Sequence, residues 1–130
     1  MAEFRRKAGV SEKRHHALGR LPAGTKNRTE QRYEDEVLRP ALWRGEVLWY
    51  AFEGVKLRLA PSTFLTVDYA VLPASGVLEM IDVKGAAAMI EEDARVKLKV
   101  AADRYPFVFK IVLPQSRKAG GGWREEVIGG

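Results

Sequence analysis

Apolar and polar positions change rhythm along the chain, and each change marks an element. Asn27-Arg28-Thr29-Glu30 has the form of a capping box, with Asn27 as N-cap and Glu30 at the third helical position. Tyr33, Val37 and Ala41 follow at helical spacing, with Leu38 and Leu42 beside them. Pro40 removes one helical hydrogen bond and crowds the preceding turn, which predicts a kink or break near Leu38 and Arg39. Gly45 then ends the helix. Residues 47–52 are β-branched and aromatic, and residues 55–59 alternate Val55, Leu57, Leu59 against Lys56, Arg58, with the turn pair Glu53-Gly54 between. After Pro61-Ser62, residues 64–72 and 77–83 read as two strongly apolar strands separated by Pro73-Ala74-Ser75-Gly76. Residues 91–104 read as a helix, acidic first and basic later as the helix dipole favours. Its apolar stripe is Ala94, Leu98, Ala101 and Tyr105. Pro106 stops it, residues 107–113 form a strand interrupted only by Lys110, and residues 123–128 form a last strand beyond a glycine-rich stretch. Trp43, Trp49 and Tyr50 are expected in the core. With no internal repeat, the pattern predicts an α/β domain whose mixed central sheet is flanked by helices.

A chain of 130 residues makes one domain, or one domain with a tail. The absence of cysteine excludes disulfides, cysteine-bound zinc, iron–sulfur clusters and thiol nucleophiles. No apolar run approaches the roughly 20 residues of a membrane span, and the first residues lack the apolar centre of a secretory signal. A soluble, cytoplasmic protein with no membrane partner is expected. The charge is uneven. Residues 1–28 hold Arg5, Arg6, Lys7, Lys13, Arg14, Arg20, Lys26 and Arg28 against Glu3 and Glu12, a net +6, which leaves −1 for the remainder of a chain carrying +5. Residues 1–25 have no periodic apolar pattern and include Gly9, Gly19, Pro22 and Gly24, so a disordered basic arm is expected before a folded domain over 26–130. Such an arm either contacts a polyanion, releasing counterions from its phosphates, or merely solubilises. His15 and His16 lie within it and lack the further ligands a metal would need.

Two of the strands carry charge where a buried strand should have none. In Thr66-Val67-Asp68-Tyr69 and Ile81-Asp82-Val83-Lys84, alternation puts Asp82 and Lys84 on one face. A three-residue hairpin loop needs a left-handed third residue, and Ala74-Ser75-Gly76 supplies it. That loop pairs Leu72 with Leu78, Ala70 with Met80, Asp68 with Asp82 and Thr66 with Lys84, so both aspartates and the lysine meet at one end of one face. Val67, Tyr69, Val71, Ile81 and Val83 then share the other face. A four-residue loop would turn Asp68 away. Facing like charges destabilise a sheet unless a cation lies between them. Oxygen ligands without cysteine or a placed histidine favour magnesium or manganese. The competing reading is an exposed strand end where Lys84 neutralises one aspartate. Glu30 is a fourth candidate, with Glu34 one turn later; on spacing alone Glu30 is the helix cap.

These residues resemble the PD-(D/E)XK nuclease superfamily, whose signature is an acid, a strand-turn-strand, then Asp/Glu-X-Lys: here Val67-Asp68 and Asp82-Val83-Lys84. The ordered set Asn27 to Tyr33, Gly45-Glu46-Val47, Phe64 to Tyr69, Ile81 to Gly85 and Lys97 through Tyr105-Pro106 is similar to a small phage-borne endonuclease family of that superfamily, related to endonuclease I and the archaeal Holliday-junction resolvases. Val67 stands where the signature has proline. The resemblance implies a restriction-endonuclease-like core in which the first helix precedes antiparallel strands and the second helix leads to a parallel strand. It implies that Glu30, rather than Glu34, joins the site, and that the chain is a hydrolase of phosphodiester bonds in DNA, selective in some relatives for branched DNA during phage recombination. Many such relatives are homodimers.

On that reading Asp68, Asp82 and the Val83 carbonyl hold one magnesium or manganese ion, Asp68 and Glu30 help hold a second, and Lys84 orients water or offsets charge. The arm with Arg95, Lys97 and Lys99 tracks the phosphate backbone of DNA. The rival is a non-catalytic DNA-binding, recombination-accessory protein whose acids are structural. A hydrolase of RNA is a second rival that spacing does not separate from the first reading.

Overall fold

The computed structural model describes residues 24–129. The arm cations Arg5, Arg6, Lys7, Lys13, Arg14 and Arg20 lie outside the described residues, as do most of the expected arm and its two histidines.

Helix α1 (Arg28–Tyr33) opens with the expected capping box, in which the Asn27 side chain accepts from the Glu30 N–H and the Glu30 side chain accepts from the Asn27 N–H. A π-helical segment, Glu34–Leu38, carries it into α2 (Arg39–Arg44). The kink expected from Pro40 therefore appears as a register slip. The Arg39 N–H donates to the Glu34 carbonyl five residues back, and the helix absorbs one extra residue just before the position that has no N–H to give. Gly45 ends α2 at φ +79°, a left-handed conformation that suits glycine.

Strand β1 (Val47–Phe52) leads to a ribbon of β2 (Lys56–Ala60) and β3 (Thr63–Thr66), then β4 (Tyr69–Pro73) and β5 (Glu79–Val83). Helix α3 (Glu92–Arg104), β6 (Val108–Pro114) and β7 (Trp123–Ile128) complete the order. Five strands form one mixed sheet in the order β1-β4-β5-β6-β7, and β2-β3 form a separate two-stranded sheet. All neighbours in the large sheet are antiparallel except β5 and β6, which run parallel on either side of the α3 crossover. This is an α/β fold with a mixed sheet. Among the described residues no helix is long and apolar enough to cross a membrane.

Within the β4–β5 ladder the hairpin register agrees with the sequence reading, but the expected pair of Thr66 with Lys84 is corrected: Thr66 pairs with Lys56 in the ribbon, and Asp68 lies beyond the last ladder pair. Tyr69 pairs with Ile81, Ala70 with Met80 and Val71 with Glu79, and Gly76 closes the loop at φ +88° with its N–H on the Pro73 carbonyl. The continuous strand expected over 64–72 is corrected: it breaks at Val67-Asp68, between β3 in one sheet and β4 in the other. The break changes the face of Val67. Instead of joining Tyr69 and Val83, it packs with Leu57, Leu59, Ala70, Met80, Leu98 and Ile111, in the core between the sheet and α3 with its ribbon. The opposite core holds Tyr33, Leu38, Tyr69, Val71, Ile81 and Val83 beneath α1 and α2. Trp43 and Trp49 depart from the core expectation, whereas Tyr50 packs against the core beneath α1 and α2. Trp43 is 86% exposed at the end of α2, Trp49 is 45% exposed on the edge strand β1, and Tyr50 is half-buried. Apolar side chains mark a strand, but nothing local to residues 47–52 says that β1 has a neighbour on one side only.

Gly76 sets the register of the β4–β5 hairpin. Gly76→Ala forces a Cβ into left-handed backbone and should lower unfolding free energy by about 1 kcal/mol. Chemical denaturation checks this; an unchanged midpoint would show that the loop does not constrain the hairpin.

Candidate functional site

At one end of the large sheet the chain holds Asp68 by two hydrogen bonds. Its carbonyl accepts the Glu53 N–H at 2.8 Å, which extends the β1–β4 pairing by one step. Its Oδ2 accepts the Val83 N–H at 2.7 Å, at the point where the β4–β5 ladder stops. A side-chain carboxylate thus serves a strand N–H beyond the last ladder pair, and this is possible because the chain bends at Asp68. On β5, Asp82 points to the α3 side, with the Lys84 Nζ 3.3 Å from its Oδ2. That oxygen is buried and has no hydrogen-bond partner.

Glu30 reaches the same region from the other side of the sheet. It is 8% exposed, and its Oε1 accepts the Asn27 N–H at 2.8 Å. The Tyr69 hydroxyl, fully buried on β4, donates to the Glu30 carbonyl at 2.7 Å and fixes the height of α1 over the sheet. The cap role read from spacing and a place at the site are therefore compatible in one side chain. Glu34 is committed elsewhere. It takes the Tyr50 hydroxyl at 2.6 Å, with Arg39 at 3.3 Å and Lys26 at 3.4 Å. Burial would raise its pKa, but Tyr50, Lys26 and Arg39 together hold it below the ordinary value.

Electrostatics single out Asp68. Burial pushes its pKa up to about 8, and the Asp82 charge adds to the rise. The Val83 N–H pulls the other way, and the Glu30 carboxylate raises it further. Two further carboxylates thus act on Asp68 at a single sheet end.

Two open cavities flank this sheet end. One, of about 430 Å³, is lined by Asn27, Arg28, Thr29, Glu30, Asp68, Val83, Lys84, Gly85 and Met89. The other, about 320 Å³, lies between β3, β5 and α3 and is lined by Leu65, Asp82, Glu91, Asp93, Ala94, Lys97 and Leu98. Glu30, Asp68 and Lys84 face the first and Asp82 faces the second. Among the described residues no three acidic or histidine side chains stand in a ready-made metal cluster. Glu30 and Asp68 each have an oxygen on a backbone N–H. The donor set still suits a hard divalent cation, since all the donors are carboxylate oxygens and the Asp82 Oδ2 is buried without a hydrogen bond.

The basic residues divide. Arg28 is exposed on the lip of the first cavity and Lys97 is exposed on the second. Lys99 is exposed, and its charge acts on Glu126. Arg95 is held by Glu126 of β7, to which it donates through both guanidinium nitrogens. Lys26 pairs with Glu34 and lies 5.1 Å from the centre of the Phe52 ring. Sequence reasoning did not find Tyr69, Thr29 or Met89. Tyr69 reads as an ordinary core residue, and its contact with Glu30 joins positions 39 apart.

The raised pKa of Asp68 has a definite sign. A carboxyl group whose folded pKa lies above its unfolded value stabilises the fold below the unfolded pKa and loses that contribution as pH rises through the folded one. The metal-free protein should therefore lose stability between about pH 4 and the Asp68 pKa of about 8. Asp68→Asn keeps an oxygen for the Val83 N–H and removes the charge. It should raise stability in chelator at pH 8 by about 1–3 kcal/mol and flatten the pH dependence. Thermal melts at pH 5 and pH 8 decide; a variant less stable than wild type at pH 8 contradicts this reading.

Comparisons with protein-family models, with curated proteins and with solved structures find no match for this chain.

Proposed function

We propose that the chain is a metal-dependent endonuclease hydrolysing phosphodiester bonds in DNA. The observation that carries this reading is the Asp68 carboxylate, buried at a sheet end under the charges of Asp82 and Glu30, with Lys84 beside Asp82. Such a group of acids costs stability beyond what its bonds to the Asn27 and Val83 N–H groups return. The order of elements supports the reading, since antiparallel strands followed by a helix and a parallel strand is the arrangement the nuclease resemblance implies.

Asp68, Asp82 and Glu30, with the Val83 carbonyl, would hold magnesium or manganese, which when bound supplies an activated water and offsets charge on the scissile phosphate. The remaining work falls to the chain. The Val83 N–H and the Glu53 N–H keep Asp68 in place from two strands. Tyr69 and Asn27 hold Glu30 from its carbonyl and its carboxylate. Lys84, half-buried with its ammonium 3.3 Å from Asp82, is placed to orient a water or to stabilise negative charge building on phosphate oxygens. Arg28 on the cavity lip is placed to meet a neighbouring phosphate, a contact that positions a strand without reading its sequence. The cytoplasm of a bacterial host, phage DNA recombination and a homodimeric state belong to the same proposal and follow from the resemblance.

The test is cleavage. With magnesium, the protein should cut at least one of a panel of linear, nicked, single-stranded and four-way-junction DNA, and calcium should not replace magnesium. Asp82→Ala and Lys84→Ala should each reduce the rate by about 100-fold or more. Wild-type rates in both variants would overturn the assignment. DNA binding without cleavage, unchanged by Asp82→Asn, would favour the accessory-protein reading instead, and equal cleavage of matched RNA would remove the preference for DNA.

A further inference from the structure

The β2-β3 ribbon stands apart from the large sheet, and its two faces differ in chemistry. Leu57 and Leu59 turn inward, buried against α3, while Lys56, Arg58 and Phe64 are exposed on the outside. The Lys56 ammonium lies 4.7 Å from the centre of the Phe64 ring. From Val55 to Val67 the sequence contains no acid. Beside the ribbon is a cleft of about 350 Å³, lined by Arg58, Leu59, Ala60, Pro61, Arg104 and Tyr105. Tyr105 fixes the cleft by donating its hydroxyl to the Arg58 carbonyl at 2.6 Å, which ties the ribbon to the end of α3. Among the described residues neither Arg58, Arg104 nor Lys56 forms a salt bridge, whereas Lys26, Arg39, Arg44, Arg95 and Lys110 all do.

Two guanidinium-bearing residues line one cleft whose lining holds no carboxylate, a setting that suits an anion. Guanidinium forks match phosphate oxygens in pairs. The cleft also has a fixed relation to the acids. Strand β3 runs through Val67 directly into Asp68, and the first turns of α3 share a cavity with Asp82. Arg104 ends that helix seven residues beyond Lys97, which lines the Asp82 cavity, so it stands roughly 10 Å further along at 1.5 Å per residue. That distance corresponds to about three base pairs of duplex at roughly 3.4 Å each.

We propose that Arg58 and Arg104 form a phosphate subsite that grips the backbone of duplex DNA about three base pairs from the bond cut at the acid group, with Lys56 and Phe64 extending the contact along the ribbon. The position of this subsite relative to the scissile bond rests on the nuclease reading; its binding of duplex does not. The contact is to backbone, so it adds affinity without sequence preference.

The experiment uses the full chain and its Arg58→Gln/Arg104→Gln variant, with binding of a fluorescent 30-base-pair duplex followed by anisotropy in calcium. Loss of two phosphate contacts should flatten the slope of log K against log salt by about 1.8 and weaken binding about 10-fold or more at low salt. Both side chains are exposed on their strand and helix, so the thermal midpoint should match wild type. A variant with wild-type slope and affinity overturns the subsite. Saturable binding of inorganic phosphate by the wild-type protein but not by the variant, with the same duplex affinity and salt slope in both, also overturns it and assigns the cleft to a free phosphate. A wild-type protein that binds duplex but cuts none in magnesium defeats the nuclease reading alone, and the subsite is then decided by the slope.

Discussion

The hydrogen bond from the Val83 N–H to the Asp68 carboxylate is the constraint on which the rest of the site depends. It forms where the β4–β5 ladder ends, and it fixes the first aspartate to the backbone next to the second. Without it Asp68 would be a charged residue on a bend, free to turn toward water. With it the carboxylate is buried beside Asp82 and Glu30, and its own affinity for a proton rises as a result. The arrangement is locally unfavourable, so the packing around it has to make up the difference. That packing is the aromatic group of Tyr33, Tyr50, Phe52 and Tyr69 on one side of the sheet and the Leu98, Ile111 and Met80 core on the other.

The helix above the site shows the same coupling of fold and chemistry. Glu30 both closes the capping box and faces the acid cavity, so the residue that starts α1 is also the one the site needs. Glu34, one turn later, is neutralised by Tyr50, Lys26 and Arg39. The π-helical slip between them and Pro40 lets the second half of the helix pack under Leu38 and Ala41 while the first half stays capped at the sheet end. A single continuous α-helix could not accommodate Pro40 without losing a hydrogen bond and crowding the preceding turn.

Much of this was legible before the fold was known, and for identifiable reasons. A three-residue loop ending in glycine restricts the hairpin to one register, so the pairing of Ala70 with Met80 followed from local chemistry, whereas the break at Val67-Asp68 leaves Asp68 and Asp82 facing different cavities. Capping by Asn27 is equally local. What was not legible depended on contacts distant in sequence. The break at Val67 is held by N–H groups of Glu53 and Val83, 15 residues away on either side of Asp68, and moves Val67 to the opposite core. Arg95 reads as a free cation until Glu126, 31 residues later, takes it. Trp49 reads as core until β1 proves to be an edge strand. Local rules specify turns and caps; which strand has no neighbour is decided by the whole chain.

The central claim is that Asp68, Asp82 and Glu30 together bind a divalent cation. Manganese titration followed by electron paramagnetic resonance measures that directly, because free manganese gives a sharp signal that binding removes. The wild-type protein should remove it in a saturable manner, and Asp82→Asn, which keeps the shape and loses the charge, should remove far less at the same concentrations. Equal removal by the two proteins, or none by the wild type at millimolar manganese, would contradict the account.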